Sequence, residues 1–233
     1  MSTDPRLLLE VLEDFARKLS ATYEITDSLH DLVHHVVGVL GLAGAGISLV
    51  EDDELRFVTA DDERVTSLER LEERDGSGPS FDASRSNDVV AIGDLRSART
   101  RWAGYVDHAL ALGIESAAAI PLHAEGVCGA LTLYDEAPRT WGERELRVGR
   151  VLADVATGYV VNASRLSQQQ RVIEQLTQAL ESRIVIEQAK GIIAAHRDIS
   201  VDEAFRVLRK HANDHNAGLH PTAHAVVRLG LRP

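Results

Sequence analysis

A chain of 233 residues, 44% apolar and 26% charged, has the composition of one or two folded soluble domains. Aromatics are only 4%, so the core must be built from Ala, Val, Leu and Ile, and the net charge of −11 argues against a body dedicated to nucleic acid. The single cysteine, Cys128, excludes an internal disulfide and fits a reducing compartment.

Leu7 to Leu19 reads as a helix behind Pro5, with Leu8, Val11, Leu12, Phe15 and Leu19 on one stripe. A second helix opens at Asp27 or Ser28 and stops at Gly41. His30 and His34 are four apart on it, a spacing that suits a metal, but no distant ligand suggests itself and the expectation is a solvated face. The period then switches to two. Gly46–Val50 and Leu55–Thr59 flank Glu51-Asp-Asp-Glu54 and predict a hairpin. Glu63 to Arg74 is helical, with Val65, Leu68 and Leu71 spaced for one face. Asp75-Gly-Ser-Gly-Pro79 breaks the pattern, and a loop-rich segment follows with a short strand at Val89–Ile92. Trp102 to Leu112 is a compact helix ended by Gly113, with Trp102, Tyr105, Ala109 and Leu112 on one face. Ser116–Leu122 and Val127–Tyr134 form a second hairpin turning at Glu125-Gly126. Hairpins with helices grouped around them make an α+β layer pattern.

This order, with Gly78-Pro-Ser-Phe-Asp-Ala83, Ile92-Gly-Asp-Leu95, Arg101-Trp102, Leu112-Gly113, Ile120-Pro-Leu122 and Gly129-Ala-Leu-Thr-Leu-Tyr134, resembles a GAF domain over about two thirds of the chain. The resemblance implies an antiparallel sheet with flanking helices over residues 1–160 and a cavity for an unknown small-molecule signal. The signature of cyclic-nucleotide-binding relatives is absent. Cys128 reads as a small strand residue rather than a bilin attachment point, and Ser80 stands where related chains often carry Cys. Methionine-sulfoxide-reducing relatives use several cysteines. No phosphate loop and no nucleophile with an orienting base is found, so no enzyme, metal or cofactor is expected.

A long helix follows. Leu152, Tyr159, Leu166, Ile173 and Leu180 are seven apart, and Val155, Asn162, Gln169, Leu176 and Arg183 form the second series. This seam predicts a parallel homodimeric coiled coil through a linker at residues 161–180, with Leu152, Tyr159, Leu166, Ile173, Leu176 and Leu180 at its centre.

Charge is partitioned. Residues 181–233 hold eight Lys+Arg against six Asp+Glu, and the remaining 17 against 30 lie upstream. The end of the long helix and two short helices are read here. Ser200 and Glu203 form a capping box, Ile199 and Ala204 a hydrophobic staple, Gly218 a left-handed stop, and Pro221 opens the last helix. Small residues at Ala189, Gly191, Ala204, Ala212 and Ala223 would let the three helices approach closely, with Val226 and Val227 facing inward beside Ala223. Arg206, Arg209, Lys210, His211, His215 and His220 point outward.

Glu187-Gln-Ala-Lys-Gly191, Ser200-Val-Asp-Glu-Ala-Phe-Arg-Val-Leu-Arg209 and Asn216 with Leu219 and Ala223 resemble the ANTAR domain over the last fifty or so residues. That family comprises three-helix RNA-binding modules of bacterial antitermination regulators. The resemblance implies binding of paired hairpin loops in nascent mRNA, and it marks Arg209 and Asn216 as contacts. Lys190 and Lys210 join them as cations for phosphate or base, and His215 and His220 as groups that stack or hydrogen-bond with loop bases. Where relatives carry basic residues after the Asn, this chain has Ala217 and Gly218. A second reading is a signalling adaptor whose helical tail binds protein. Val36–Val50 is uncharged but interrupted by glycines and short for a membrane span, and the N-terminus lacks the order of a secretory signal. No membrane association is expected, and the expected location is the cytoplasm.

Overall fold

The structure, a computed structural model, describes residues 5–18, 25–124 and 126–233, with only the backbone described for residues 5–8 and 18. The side chain of Leu8, and Leu19 and the Glu125 half of the second hairpin turn, therefore lie outside what is described. The chain divides into two compact units, Met1–Arg165 and Leu166–Pro233.

In the first unit, α1 (Pro5–Lys18) and α2 (Ile25–Leu40) precede the hairpin β1 (Gly44–Glu51) and β2 (Glu54–Ala60). Asp52 and Asp53 both take positive φ, at 52° and 65°, which gives the two-residue turn the twist that matches the strands. α3 (Glu63–Asp75) is capped by Asp62, whose carboxylate accepts from the Val65 amide. α4 (Pro79–Ser86) stands where only loop is expected from the sequence. Proline at its first position is tolerated because that N–H has no intrahelical partner. β3 (Val90–Ile92), one 3-10 turn (Leu95–Ala98), α5 (Ala103–Ala111), β4 (Ser116–Ala124) and β5 (Val127–Asp135) complete the layer.

The sheet is antiparallel throughout, in the order β2-β1-β5-β4-β3. Its two faces differ in kind. One presents Ala45, Ile47, Ala118, Ile120, Leu122, Leu131 and Leu133 to α1, α2 and the start of α6 (Glu143–Arg197). Each fully buried Leu or Ile there contributes about 1.5–3 kcal/mol. The alternate residues are small or polar: Ser48, Ala117, Ala119, Ala130 and Thr132, with Tyr134 the exception. They leave room on the second face for side chains from α3, α4 and α5.

α6 is one uninterrupted helix of 55 residues that runs through the segment 161–180. Its early seam positions need correction. Leu152 is 0% and Tyr159 3% exposed, both within the core of the first unit, where Tyr159 meets Phe15 edge-to-face at 4.9 Å. A side chain buried in its own chain has no surface left for a partner. The exposed series begins at Leu166 (52%) and continues through Ile173 (57%), Leu176 (60%) and Leu180 (63%) to Ile184 (56%).

In the second unit the end of α6, α7 (Val201–Asp214) and α8 (Leu219–Leu229) enclose Ala189, Ile193, Ala204, Leu208, Ala223 and Val226. The capping box at Ser200 and Glu203 is complete. Three expectations change. Gly191 faces outward, and a Cβ added there would meet nothing within 4 Å, so it plays no part in helix approach. The left-handed stop of α7 is Asn216 (φ 49°), not Gly218. The Asn216 amide donates to the Asn213 carbonyl at 3.1 Å and the Ala217 amide to the Ala212 carbonyl at 2.8 Å, a Schellman pair that closes the helix. Gly218 instead precedes α8 as its N-cap, and Pro221 is its third residue, still among the positions whose N–H is orphaned.

Candidate nucleic-acid interface and a buried carboxylate pair

α7 sets its polar side by periodicity. Ala204, Leu208 and Ala212 are buried at four-residue spacing, which turns Arg206, Arg209, Lys210 and Asn213 to the opposite side. Among the described residues, Arg209 and Lys210 are exposed with no ion pair, while Arg206 lies 4.0 Å from Glu203. Lys190 differs from the other two candidate cations. Its side chain is only 14% exposed, its ammonium lies 2.9 Å from the Glu187 carboxylate, and it sits 5.5 Å from the centroid of the Phe205 ring. Its charge is engaged inside the module. Phe205, which by spacing belongs beside the apolar face of α7, supplies the ring over which the Lys190 ammonium sits.

His215, Asn216 and His220 gather at the α7–α8 junction. His215 stacks on His211 with centroids 4.1 Å apart, and its Nδ1 donates to the His211 carbonyl at 2.9 Å. A carbonyl only accepts, so Nδ1 carries a proton and the Nε2 edge is left for an outside partner. His220 is exposed, with its ring 6.4 Å from that of His224. The junction thus offers ring faces, an amide and two cations one or two turns up α7.

A second polar constellation lies in the first unit and was not legible beforehand. Glu69 and Glu72 on α3 are both 0% exposed. Ser48 Oγ donates to Glu69 Oε2 at 2.6 Å and Tyr134 Oη to Oε1 at 2.8 Å. Glu72 Oε2 accepts from the Ser80 and Phe81 amides at 2.9 and 3.2 Å, and its Oε1 from Ser80 Oγ at 3.0 Å. Ser80 Oγ is 2.8 Å from Thr132 Oγ1. The Glu72 carboxylate therefore does for α4 what its N-cap, Gly78, has no side chain to do. Backbone passes close to both carboxyls. A Cβ at Gly46 would fall 2.8 Å from Glu69 Oε1, and one at Gly78 would fall 2.3 Å from the Glu72 carboxyl carbon. Burial pushes the Glu69 carboxyl up to about 7 against the lowering effect of its three hydroxyl partners. Burial, with the neighbouring Glu69 charge, holds Glu72 well above the usual carboxylate range. The Tyr105 hydroxyl is enclosed near Tyr134 and the two carboxyls, none of which meets it with hydrogen-bond geometry.

Cys128 is half-buried near the start of β5, with Sγ 3.0 Å from the Ser84 carbonyl, and it lines an open cleft of about 520 Å³ with Val50, Leu55, Phe81 and Ser84. His30 Nδ1 lies 3.1 Å from Thr59 Oγ1.

A family model described as GAF domain matches residues 23–159, more than half of the chain. The chain belongs to the GAF domain family. A second model, described as ANTAR domain, matches residues 174–227, so the second unit carries an ANTAR domain. No curated protein matches the chain. Among solved structures, the GAF domain of an Acinetobacter phosphoenolpyruvate-protein phosphotransferase is 15% identical with a TM-score of 0.54, covering 71% of this chain and 97% of its own. The phycoerythrobilin-bound GAF domain of a cyanobacterial phytochrome is 16% identical at a TM-score of 0.54, covering 72% of this chain and 100% of its own. Free methionine-R-sulfoxide reductase from Neisseria meningitidis, in complex with its substrate, is 17% identical at 0.52, covering 71% and 96%. These likenesses show the fold. Among the described residues no helix is long and apolar enough to cross a membrane.

Proposed function

We propose that this chain is a signal-responsive, non-enzymatic RNA-binding regulator of the cytoplasm, in which the GAF domain governs an ANTAR domain that binds paired hairpin loops in nascent mRNA and prevents a terminator from forming. The observation that carries the reading is the outer side of α7 in a matched ANTAR domain, where Arg209 and Lys210 stand exposed without an internal partner. Phosphate neutralisation by exposed cations supplies affinity, and ring faces at His215 and His220 suit unstacked loop bases. A homodimer fits the same reading. In the exposed apolar series Leu166, Ile173 and Leu180 keep the seven-residue interval of a two-stranded seam, with Leu176 between them. Two ANTAR domains held by one seam would grip two loops together and gain avidity from the tether.

Filter binding of a two-hairpin RNA at two salt concentrations tests this. Salt-sensitive binding should weaken by about 10-fold in Arg209→Ala, with the salt slope reduced by about one. The adaptor reading retains two supporting observations: Lys190 is engaged internally, and the two residues directly after Asn216 are the uncharged Ala217 and Gly218. Absent RNA binding by an intact dimer selects it.

A further inference from the structure

Among its described residues the GAF domain encloses two carboxylates, Glu69 and Glu72, and no cation to balance them. Glu69 and Glu72 lie one turn apart on α3, on the side that packs against the sheet. The groups facing them are Ser48 from β1, Thr132 and Tyr134 from β5, Ser80 and the Ser80 and Phe81 amides from α4, and Tyr105 from α5. The neighbouring cations are engaged elsewhere: Arg64 with Asp62 and Glu136, Arg56 with Glu54 and Glu73, and Arg70 over the Phe57 ring. His108 on α5 bonds Ser67 on the far side of α3 at 2.8 Å. An unpaired charge in such surroundings is expensive, and two of like sign are more so.

Five donors point at the pair, and all of them suit ionised carboxylates. A carboxyl that takes up a proton becomes a donor and needs an acceptor. Among the described residues, Tyr105 Oη is the enclosed side-chain oxygen with no hydrogen-bond partner, and the charges of both carboxyls reach it. We propose that Glu69 and Glu72 form a proton-binding site through which the GAF domain responds to acidity, with the Tyr105 hydroxyl accepting the hydrogen bond of the added proton. The proton comes from solvent, joins one carboxylate oxygen, and removes one of the two buried charges. No other bond forms or breaks. The consequence reaches α4 through the pair, because a proton on Glu69 removes the charge that repels the Glu72 carboxylate, and that carboxylate holds the first-turn amides of the helix.

The sign of the effect follows from the environment. The fold favours the protonated form, so this contribution to stability is complete below the free carboxyl value of 4.5 and is lost as pH rises through about 7. The inference rests on the sensor reading above only for what the proton is used for, since uptake itself needs no RNA. Carbon-13 NMR of glutamate carboxyls in the full chain, together with thermal melts from about pH 5.5 to about pH 8.5, decides it. One glutamate carboxyl should titrate near 7 and vanish in Glu69→Gln, an amide whose oxygen still accepts while Ser48 or Tyr134 turns to accept from its NH2. The wild-type melting midpoint should fall across that range, and that of Glu69→Gln should stay level. Tyr105→Phe should move the carboxyl midpoint down by about half a pH unit or more. Glutamates that all titrate below about pH 5.5 overturn the site even where a variant fails to fold, and an unmoved midpoint in Tyr105→Phe overturns the part given to that hydroxyl. Loss of the titration leaves the RNA reading standing, and loss of RNA binding leaves the titration standing.

Discussion

Asn216 carries two demands at one position. Its backbone closes α7 at φ 49°, and its amide stands exposed at the proposed RNA face. Substitutions separate the two. Glycine adopts the left-handed region freely, so Asn216→Gly should melt within about 0.5 kcal/mol of wild type, whereas alanine there should cost about 1 kcal/mol. If the amide contacts RNA, Asn216→Gly also weakens hairpin binding by about 10-fold in the filter assay without lowering the melting point. Unchanged RNA binding by Asn216→Gly reduces the residue to a turn former. Lys190 shows how a side chain that looks free in a sequence is claimed by its neighbours: Glu187 one turn back and Phe205 across the helix pair leave little of its charge to solvent.

At the scale of elements, the exposed Gly191 inside α6 makes a direct prediction. Glycine in a helix interior is about 1 kcal/mol worse than alanine, and the added methyl has open space in the single chain. Gly191→Ala should therefore raise the melting point, as read by circular dichroism. A drop, or a loss of self-association, would mark Gly191 as a place where a partner's backbone comes close. Most elements were legible because their periods are clean: the Asp52-Asp53 hairpin, the Trp102 helix, the alanine strands and the Ser200 box all signal locally. α4 was hidden because Gly78-Pro79 and three serines read as loop, and its missing cap comes from Glu72, six residues before Gly78 in sequence and on another helix. The buried face of α3 was misjudged for a related reason. The spacing puts Val65, Leu68 and Leu71 on one face, whereas the buried face holds Val65, Leu68, Glu69 and Glu72 and leaves Leu71 half-buried. The signal lay in the facing strands, where Ser48 and Thr132 interrupt otherwise apolar runs.

For the whole molecule, function is proposed to depend on a second copy. Ile173 and Leu180 are more than half exposed, so charging them should leave each unit folded. The double variant Ile173→Glu, Leu180→Glu should run as a monomer by light scattering at a concentration where wild type runs as a dimer, and it should lose the avidity component of RNA binding. A wild-type monomer would remove the seam from the proposal.

The single helix in which Leu152 and Tyr159 look into one core, while Leu166 and Ile173 continue the count in the open, makes this protein sensitive to arithmetic. Each extra residue spliced between Tyr159 and Leu166 turns the exposed series by about 100° about the axis of α6, whereas seven bring it back to within about 20° of where it began. Seven residues added or removed there should therefore keep the phase of the exposed series along the helix, and a single residue gained or lost should scramble it.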